Sequence, residues 1–590
     1  MTYKAPVRDL IFALNEAADF SRLQHAFPGA DADTVLAVLE AAGSFSGEVL
    51  APLNAPGDRV GAKFENGQVV SAPGFADAYR QFAAGGWNSL AADPGHGGQG
   101  LPKALEIAVF EMIQAANMAF GLCPMLTQGA IEAIGTHGTA RQKSLYLPRL
   151  VSGEWTGTMN LTEPASGSDL GAITTRAEPD GNGGYALTGT KIFITWGDHD
   201  VADNIVHLVL ARLPDAPPGT RGLTLFLSPK RLVNEDGTLG AANGVRPASI
   251  EHKLGVHASP TCVMLFEGAK AEMVSAPNQG LAAMFVMMND ARLQVGVQGV
   301  AIAERAYQQA LAYSLERKQG RSAWTGTYPS RLFDHPDVRR SLMLMKAKIS
   351  AARAICLSTA VAADLARTAG NPVDRDSARF RQELLTPIAK AWSTDIGVEV
   401  ASMGLQIHGG MGFIEETGAA QYMRDSKILT IYEGTTAIQA NDFVGRKTAR
   451  DGGTAAKAIA ARIESTEQAL AASPSKDAQA FGKRLTAARL AFLDAVAFIA
   501  GSAKASPNAA FAGSVPYLML AGNLVGGWQL GRALLVAVER IAAGDDVPFM
   551  TAKIATARFY GDHILSKAAG VRDSIVDGAE GCLAMPLTAF

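Results

Sequence analysis

Hydrophobic positions recur along the chain with two different periods. Up to about residue 150, alanine-rich runs place apolar residues at helical spacing, which predicts helices on both sides of a glycine-dense break at residues 93–102. From about residue 154, short runs rich in Thr, Val, Ile and Phe, such as NIVHLVLARL and GLTLFLS, are separated by turns that contain Gly and Pro. This second pattern is typical of β-strands.

The helical period returns at about residue 280 and continues towards the C-terminus. Three long stretches, 281–318, 335–368 and 378–410, are joined by short connections, which favours a helical bundle. Beyond residues 446–453 the chain is again alanine-rich and helical. We therefore predict an α+β multi-domain protein with an N-terminal extension (1–40), an N-terminal helical domain (41–153), a middle β domain (154–277), a helical bundle (278–448) and a C-terminal helical extension (449–590).

Composition and charge narrow the classes of function. The 590 residues are 48% hydrophobic and 18% charged, which is typical of a globular chain. With 53 basic and 56 acidic residues, the sequence gives no electrostatic reason to expect binding to nucleic acid or anionic lipid. The four cysteines stand singly, without a CxxC pair, so we expect no disulfide framework, no metal site and a reducing, cytoplasmic environment. The N-terminus lacks the apolar stretch of a signal peptide.

Residues 505–531 contain no charged side chain. By length alone this segment is sufficient to span a bilayer, which takes about 20 residues. However, it includes two Asn, two Pro, one Gln and five Gly, and is less apolar than a spanning helix. Buried helices are therefore favoured over a membrane span, and we expect no stable membrane insertion.

A single carboxylate interrupts an apolar run near the end of the predicted bundle. In ILTIYEGTTAIQ (428–439), Glu433 follows β-branched and aromatic residues and has no basic residue within five positions. A lone glutamate is most often a solvated surface residue. If its apolar neighbours bury it, its pKa should rise from about 4.3 towards neutrality, where a carboxylate is an effective general base.

Three sequence blocks resemble one enzyme family. MNLTEPASGSDLG (159–171), QIHGGMGF (406–413) and MRDSKILTIYEGTTAIQ (423–439), in this order and spacing, are similar to the acyl-CoA dehydrogenases, flavoproteins that use FAD. The resemblance covers residues ~45 to 447, and the flanks resemble a larger subgroup with a C-terminal extension. It implies a helical N-terminal domain, a β-barrel-like middle domain, a four-helix bundle and an extra helical domain.

The resemblance also implies a reaction, the α,β-dehydrogenation of an acyl-CoA thioester to the trans-2-enoyl-CoA. Glu433 matches the family's base for the α-proton, and FAD is the acceptor of the β-hydride. Some members carry the base on a bundle helix beside an arginine; here that arginine matches Arg292, and its neighbour Ala291 is not an acid. The residues implied in substrate binding are Ser168, Arg292, Tyr432 and Gly434, although a surface salt bridge would also explain Arg292.

Matches to the family's FAD contacts fall in two groups. The residues implied near the isoalloxazine ring are Met159, Leu161, Thr162, Ser168, Phe193 and Thr195. Those implied near the rest of the cofactor, in part from a neighbouring subunit, are Arg317, His335, Gln406, Gly409, Gly410, Thr435 and Gln439. Many members have tryptophan where this chain has Phe193, so either Phe193 packs on the ring or Trp196 takes part of that role; ordinary β-core aromatics remain the alternative. A structural role for His335 is equally open.

Substrate and partners follow from the same resemblance. The subgroup points to 3-(methylthio)propanoyl-CoA, with a straight short- or medium-chain acyl-CoA as the alternative. Residues 121–138 and 284–288 are expected to line the acyl pocket or to form plain core. The implied electron acceptor is an electron-transfer flavoprotein, and the implied assembly is a homo-oligomer, with a dimer expected.

Two other functions use the same scaffold. An acyl-CoA oxidase would share the base and use oxygen as acceptor. A flavin-containing DNA-associated protein would need a basic extension. Residues 451–590 contain 13 basic and 12 acidic side chains, which disfavours that function.

Overall fold

The computed structural model describes residues 3–590, apart from the side chain at position 583. The N-terminal part is helical, with one short hairpin. Its elements are α1 (Val7–Phe12), α2 (Ala32–Phe45), α3 (Ala51–Val60), β1 (Lys63–Glu65), β2 (Gln68–Val70), α4 (Phe75–Ala84), α5 (Lys103–Ala116), α6 (Met118–His137) and α7 (Ala140–Ser152). Every residue of α5 is buried. The extended Asn117 separates α5 from α6 and caps α6 by accepting a hydrogen bond from the Phe120 N–H at 3.1 Å.

The middle part is a closed β structure. Its strands are β3 (Trp155–Asn160), β4 (Arg176–Pro179), β5 (Tyr185–Thr195), β6 (Asn204–Arg212), β7 (Leu223–Pro229), β8 (Arg231–Val233), β9 (Leu239–Ala242), β10 (Val245–Ile250) and β11 (Thr261–Met273). One sheet runs β10-β11-β5-β4-β6-β3, and β7 pairs with both β6 and β11, which closes the sheet on itself. The predicted barrel-like domain is confirmed. The sequence pattern did not predict β4, the β8–β9 hairpin or β10.

Long helices follow, as predicted. They are α8 (Gly280–Glu316), α9 (Pro336–Thr368) and α10 (Pro372–His408), completed by the shorter α11 (Ala419–Lys427) and α12 (Thr436–Val444). Helices α8 and α10 pack through glycines. A Cβ at Gly296 would lie 2.5 Å from the Ala389 carbonyl oxygen, and one at Gly299 would lie 2.3 Å from that of Ser393. Such close approach requires positions without side chains.

The C-terminal extension is helical and packs on the bundle. Its helices are α13 (Thr454–Ala472), α14 (Lys476–Ala505), α15 (Pro507–Ala512), α16 (Ser514–Ala542), α17 (Val547–His563), α18 (Ala568–Val576) and α19 (Ala579–Leu583). Gly522 of α16 faces the Trp392 side chain of α10, whose Nε1 donates to Asn523 Oδ1 at 3.0 Å. The charge-free segment 505–531 thus forms helices, of which α16 is largely buried, as predicted.

Residues 3–25 connect the bundle to the C-terminal helices, an arrangement that the sequence pattern did not predict. Phe12 packs edge-to-face on Phe549 of α17, with ring centroids 5.6 Å apart. Arg532 of α16 donates to the Ala17 carbonyl oxygen at 2.6 Å. Three ion pairs, Asp9–Lys553, Glu16–Arg540 and Asp19–Arg532, join the same surfaces.

Three helical stretches, Ala32–Val60, α9 and α14, are long and apolar enough to cross a membrane by length and composition alone. Most of the apolar window of α9 is buried inside the protein.

Candidate active site

Glu433 lies in a tight loop between α11 and α12. After a single 3₁₀ turn at Ile428–Thr430, Glu433 has φ of 56° and Gly434 has φ of 87°. Two consecutive residues in this region turn the chain sharply before α12 begins. A non-glycine residue held there costs about 1–3 kcal/mol and persists only where its surroundings fix it. The structure must therefore supply contacts that hold the loop.

Side chains from two helices supply these contacts. Lys390 of α10, which is fully buried, donates to the carbonyl oxygens of Leu429 at 2.9 Å and Gly434 at 2.7 Å. Gln439 of α12, which is 1% exposed, donates to the Glu433 carbonyl oxygen at 3.0 Å. The loop is thus held by hydrogen bonds on both sides of the carboxylate.

The Glu433 carboxyl is partly buried, and burial raises its pKa to about 7. The positive charges of Arg292 and Lys390 act in the opposite direction and limit the rise. The increase in pKa expected from the apolar neighbours is confirmed, and a fully solvated surface glutamate is excluded. A carboxylate with a pKa near the operating pH can accept a proton efficiently.

Arg292 lies on α8 and is only 9% exposed. Its Nη1 donates to Asn289 Oδ1 at 3.2 Å, whereas its buried Nε has no hydrogen-bond partner within residues 3–590. Burial lowers its pKa, against the opposing charges of Glu433 and Asp442. The alternative of a surface salt bridge is wrong, because the side chain is buried and forms no ion pair with the described residues. An unpaired buried donor beside a carboxylate is a position where a ligand can supply the acceptor.

Three buried glutamines lie on α6 and α8, of which Gln298 contacts the loop through Tyr432, and we call Gln128, Gln294 and Gln298 the glutamine floor. The Tyr432 hydroxyl donates to Gln298 Oε1, and Gln298 Nε2 contacts Met125 Sδ at 3.6 Å. Gln294 Nε2 donates to Gln128 Oε1 at 2.8 Å.

Sequence reasoning missed the glutamine floor as a set. Gln128 falls inside the predicted pocket segment 121–138, but no motif marked the other two. Gln294 and Gln298 are four positions apart and therefore share a face of α8. That spacing of two amides within the run LQVGVQGVAIA was the available signal.

The flavin-side residues cluster at one edge of the barrel. The Ile192 N–H donates to the Thr162 carbonyl oxygen at 2.9 Å, which brings the 159–168 block next to the end of β5. Phe193 is 58% exposed with φ of 60°, so it is not a core aromatic. Trp196 is 1% exposed, and its Nε1 donates to the Ala119 carbonyl oxygen at 3.1 Å. Because Trp196 is buried against α6, its suggested part in packing on the ring is wrong.

The other predicted residues of this edge differ in exposure. Leu161 is buried, Met159, Thr162 and Thr195 are partly buried, and Ser168 is exposed. Their roles as cofactor or substrate contacts stay predictions.

The remaining cofactor predictions lie at the far end of the bundle. Tyr313 of α8 stacks on His408 of α10 with centroids 4.4 Å apart, which places exposed Arg317 beside the segment 406–410. A Cβ at Gly409 or Gly410 would meet nothing within 4 Å. His335 Nε2 hydrogen-bonds the Gln319 carbonyl oxygen at 2.9 Å, and Arg317 Nη2 donates to Gln319 Oε1 at 3.0 Å. Gln406 is exposed.

This far cluster does not meet Glu433 within one chain. Arg292 lies on α8 and Arg317 directly follows its last residue, and their separation in sequence corresponds to about 37 Å along the helix axis. Two residues of the predicted cofactor set also have other partners near Glu433. The Thr435 hydroxyl accepts from the Ile438 N–H at 3.2 Å, and Gln439 holds the Glu433 carbonyl oxygen. Their contact with FAD stays a prediction.

Comparison with protein families matches four successive segments. Residues 34–154, 158–269 and 278–447 match the N-terminal, middle and C-terminal domains of acyl-CoA dehydrogenases. Residues 456–586 match a domain described as acetyl-CoA dehydrogenase C-terminal like.

Full-length relatives have the same organisation. The chain is 48% identical over 590 residues to 3-methylmercaptopropionyl-CoA dehydrogenase of Ruegeria pomeroyi, covering 100% of both chains. It is 35% identical over 621 residues to a butyryl-CoA dehydrogenase of Syntrophomonas wolfei, covering 100% of this chain and 99% of that protein. A solved acyl-CoA dehydrogenase from Bacillus anthracis, complexed with FAD, has the same fold, with a TM-score of 0.74 at 19% identity over 95% of this chain and 91% of that chain. The chain therefore belongs to the acyl-CoA dehydrogenase family of FAD-dependent oxidoreductases.

Proposed function

We propose that Glu433 is the base of this acyl-CoA dehydrogenase and that its preferred substrate is 3-(methylthio)propanoyl-CoA. The observation that carries the proposal is the partly buried Glu433 carboxyl with a pKa of about 7, beside the buried Arg292. At neutral pH this carboxyl is available in its ionised form, yet basic enough to take a proton from carbon.

The chain's residues take part at the acyl carbons. The Cα–H bond breaks, its proton goes to a Glu433 carboxylate oxygen, and its electron pair becomes the second bond between Cα and Cβ. When bound, FAD accepts the hydrogen that leaves Cβ with its electron pair. The backbone N–H of Glu433 has no partner within residues 3–590 and is free to donate to the thioester oxygen as negative charge develops there.

The residues at the barrel edge fit a flavin. Phe193 is a large apolar side chain left 58% exposed in a left-handed conformation, which a protein maintains at a cost of about 1–3 kcal/mol. Met159, Leu161, Thr162 and Thr195 are the residues that would hold the ring beside it. Gly409 and Gly410, with open space where a Cβ would be, would allow another part of the dinucleotide to approach the backbone.

The glutamine floor supports a short acyl chain that contains sulfur. Tyr432, Gln298 and Met125 form a continuous row of contacts from the loop to α6, which limits the depth available next to Glu433. The contact at 3.6 Å between the Gln298 amide and the Met125 sulfur shows an amide donor placed to meet a thioether. A methylthio group has the same chemistry as the end of a methionine side chain. The relative from Ruegeria pomeroyi bears the corresponding substrate in its name.

A first experiment tests the base. Wild type, Glu433→Gln and a control, Glu416→Gln, are mixed anaerobically with 3-(methylthio)propanoyl-CoA, and the loss of visible flavin absorbance is followed. Glu416 is exposed and forms no ion pair with the described residues. We expect rapid loss for wild type and control, and none for Glu433→Gln. Equal rates in all three proteins would show that Glu433 is not the base.

A second experiment tests the substrate. Pentanoyl-CoA differs from 3-(methylthio)propanoyl-CoA only by a methylene in place of sulfur, so the ratio of their kcat/KM values isolates the contribution of sulfur. We expect the ratio to favour sulfur in wild type and to approach unity in Gln298→Leu, which keeps the side-chain size. A wild-type preference for medium-length acyl chains would contradict the proposed substrate.

We also propose that the chain is a cytoplasmic homodimer that passes electrons to an electron-transfer flavoprotein. The separation of about 37 Å between Arg292 and Arg317 supports two chains at each site, because a predicted substrate contact and a predicted cofactor contact lie this far apart along one chain. Mixing inactive Glu433→Gln with Arg317→Ala should form hybrid dimers that contain one intact site and recover activity. Absence of recovery, or a monomeric mass in sedimentation, would contradict the dimer. Cell fractionation tests the cytoplasmic location, and reoxidation of the reduced enzyme by purified electron-transfer flavoprotein tests the electron acceptor.

A further inference from the structure

Lys390 is a buried ammonium that forms no close ion pair with the described residues. It is 0% exposed, and within residues 3–590 it forms no salt bridge. Its only hydrogen bonds there go to the carbonyl oxygens of Leu429 and Gly434. Burying a charge without a partner of opposite charge is costly, and burial lowers the pKa of Lys390 to about 8. A structural role in α10 would be met at lower cost by an apolar residue.

The two carbonyl groups that Lys390 contacts lie on either side of Glu433. Leu429 precedes it by four positions, and Gly434 follows it directly. The ammonium therefore spans the loop and fixes the pair of left-handed residues, Glu433 and Gly434. Gln439, the other side chain that holds the turn, donates only to the carbonyl oxygen of Glu433 itself.

The charges around the loop are few. Arg292 faces Glu433 from α8, and Lys390 faces it from α10. Asp395, also on α10, acts on Lys390 and accepts a hydrogen bond from the Thr436 hydroxyl at 2.8 Å. Asp442 of α12 and the adjacent Arg446 act on Arg292. Among the described residues, Arg292 and Lys390 are thus the cations that favour the ionised form of Glu433.

We propose that Lys390 is a positioning residue for the dehydrogenation: it holds the base loop by both carbonyls, and its positive charge keeps Glu433 ionised at neutral pH. This inference rests on the proposed role of Glu433 as base. It makes the protonated state of Lys390 and the deprotonated state of Glu433 the active combination. The rate should then rise with pH as Glu433 loses its proton and fall in part at higher pH as Lys390 loses its own. The acidic and alkaline limbs of this pH profile report the titration of the two groups as a coupled pair.

Two variants separate the charge from the hydrogen bonds. Lys390→Met removes both, whereas Lys390→Gln keeps N–H donors without charge. In both, loss of the nearby cation should raise the pKa of the acidic limb of kcat/KM by about one unit, which lowers the rate at neutral pH about fivefold. The alkaline limb should disappear in both variants. Lys390→Gln should retain more of the maximal kcat than Lys390→Met, because it still holds one carbonyl.

The control is Lys348→Met. Lys348 of α9 is also largely buried and pairs with Glu399, and it is not among the charges that act on Glu433 or on Lys390. It should lower thermal stability and leave the pH profile unchanged. An unchanged acidic limb in both Lys390 variants, with a uniform loss of rate, would overturn the inference and leave Lys390 a structural residue.

A second readout does not depend on turnover. In the resting holoenzyme without substrate, the pH at which the stability gained by Glu433→Gln levels off should be higher in the Lys390→Met background, because that pH follows the pKa of Glu433 in the folded state. An unchanged pH in that comparison also overturns the inference. If neither variant folds, the wild-type pH profile is the test: a rate that rises through the acidic limb and does not fall at alkaline pH overturns the inference. Activity that survives in Glu433→Gln would refute the proposed base itself, whereas inactive Glu433→Gln with normal pH profiles in the Lys390 variants would refute only this inference.

Discussion

Replacing Glu433 by glutamine should stabilise the folded protein at alkaline pH while it removes activity. In the folded state the pKa of Glu433 is raised from 4.5 to about 7, chiefly because the partly buried carboxylate has lost part of its hydration. The folded state therefore binds more protons than the unfolded state between these two values. For an acid whose pKa is raised in the folded state, the stability of the protein therefore falls as pH rises through this window.

The size of the effect follows from the shift. A difference of 2.5 units between 4.5 and about 7 corresponds to about 3 kcal/mol, since each unit is worth about 1.4 kcal/mol. Glu433 retains some exposure, so water screens part of the cost, and we expect a gain of about 1–3 kcal/mol for the neutral amide. The gain should be absent below pH of about 4.5 and complete above about 7.5.

The assay is thermal unfolding of the holoenzyme across this pH range. The difference in midpoint between Glu433→Gln and wild type should be close to zero at the acidic end. It should increase through neutrality and then level off at several degrees, given about 2–4 °C per kcal/mol for domains of this size. Glu416→Gln, the exposed control, should show no such trend. A difference that is constant with pH, or a loss of stability at alkaline pH, would refute the electrostatic account of the base.

Three further changes test other parts of the molecule. Phe12→Ala should cost about 3–5 kcal/mol and increase hydrogen exchange in α16 and α17, while equal exchange in both proteins would contradict the docking of the N-terminal segment. Phe193→Gly should weaken FAD retention in a dialysis titration without lowering the unfolding midpoint, because glycine relieves the left-handed φ of 60°; unchanged retention would count against a role for this ring. Arg353→Met should cost about 3–5 kcal/mol in chemical denaturation, since it leaves the buried carboxylates of Glu111 and Glu304 unpaired, and a neutral result would contradict the importance of that cluster.

Local patterns in the sequence predicted the elements but not their contacts. The three long bundle helices and five of the strands follow from periodicity, because side-chain spacing reports the face that each element buries. The N-terminal segment was predicted only as an extension. Its position depends on Phe549, Arg532 and Lys553, more than 500 residues away, and spacing along the chain contains no information about such pairs.

The residues of the candidate site were likewise identified from the sequence only in part. Glu433 was identifiable because a carboxylate in an apolar run is rare and because the surrounding block resembles a family motif. Lys390 was not identified, although it stands between buried Ala389 and Trp392 in the run TPIAKAW. A lysine within an apolar helical stretch is a local conflict of the kind that functional sites produce. The alternative role for Trp196 failed for a different reason, because only the tertiary structure shows that its ring is buried against α6.

The C-terminal extension lies directly behind the base loop. Lys390 and Trp392 are two positions apart on α10 and therefore project to nearly opposite sides of it, about 200° apart. Lys390 faces the loop, and Trp392 faces Gly522 and Asn523 of α16. Helix α10 is thus held between the strained turn at Glu433 and a helix of the extension. The turn depends on the position of Lys390, and that position depends on α10. The packing of α16 on α10 therefore contributes to holding the Glu433 carboxylate in place, although among the described residues no hydrogen bond or ion pair joins the extension to this carboxylate.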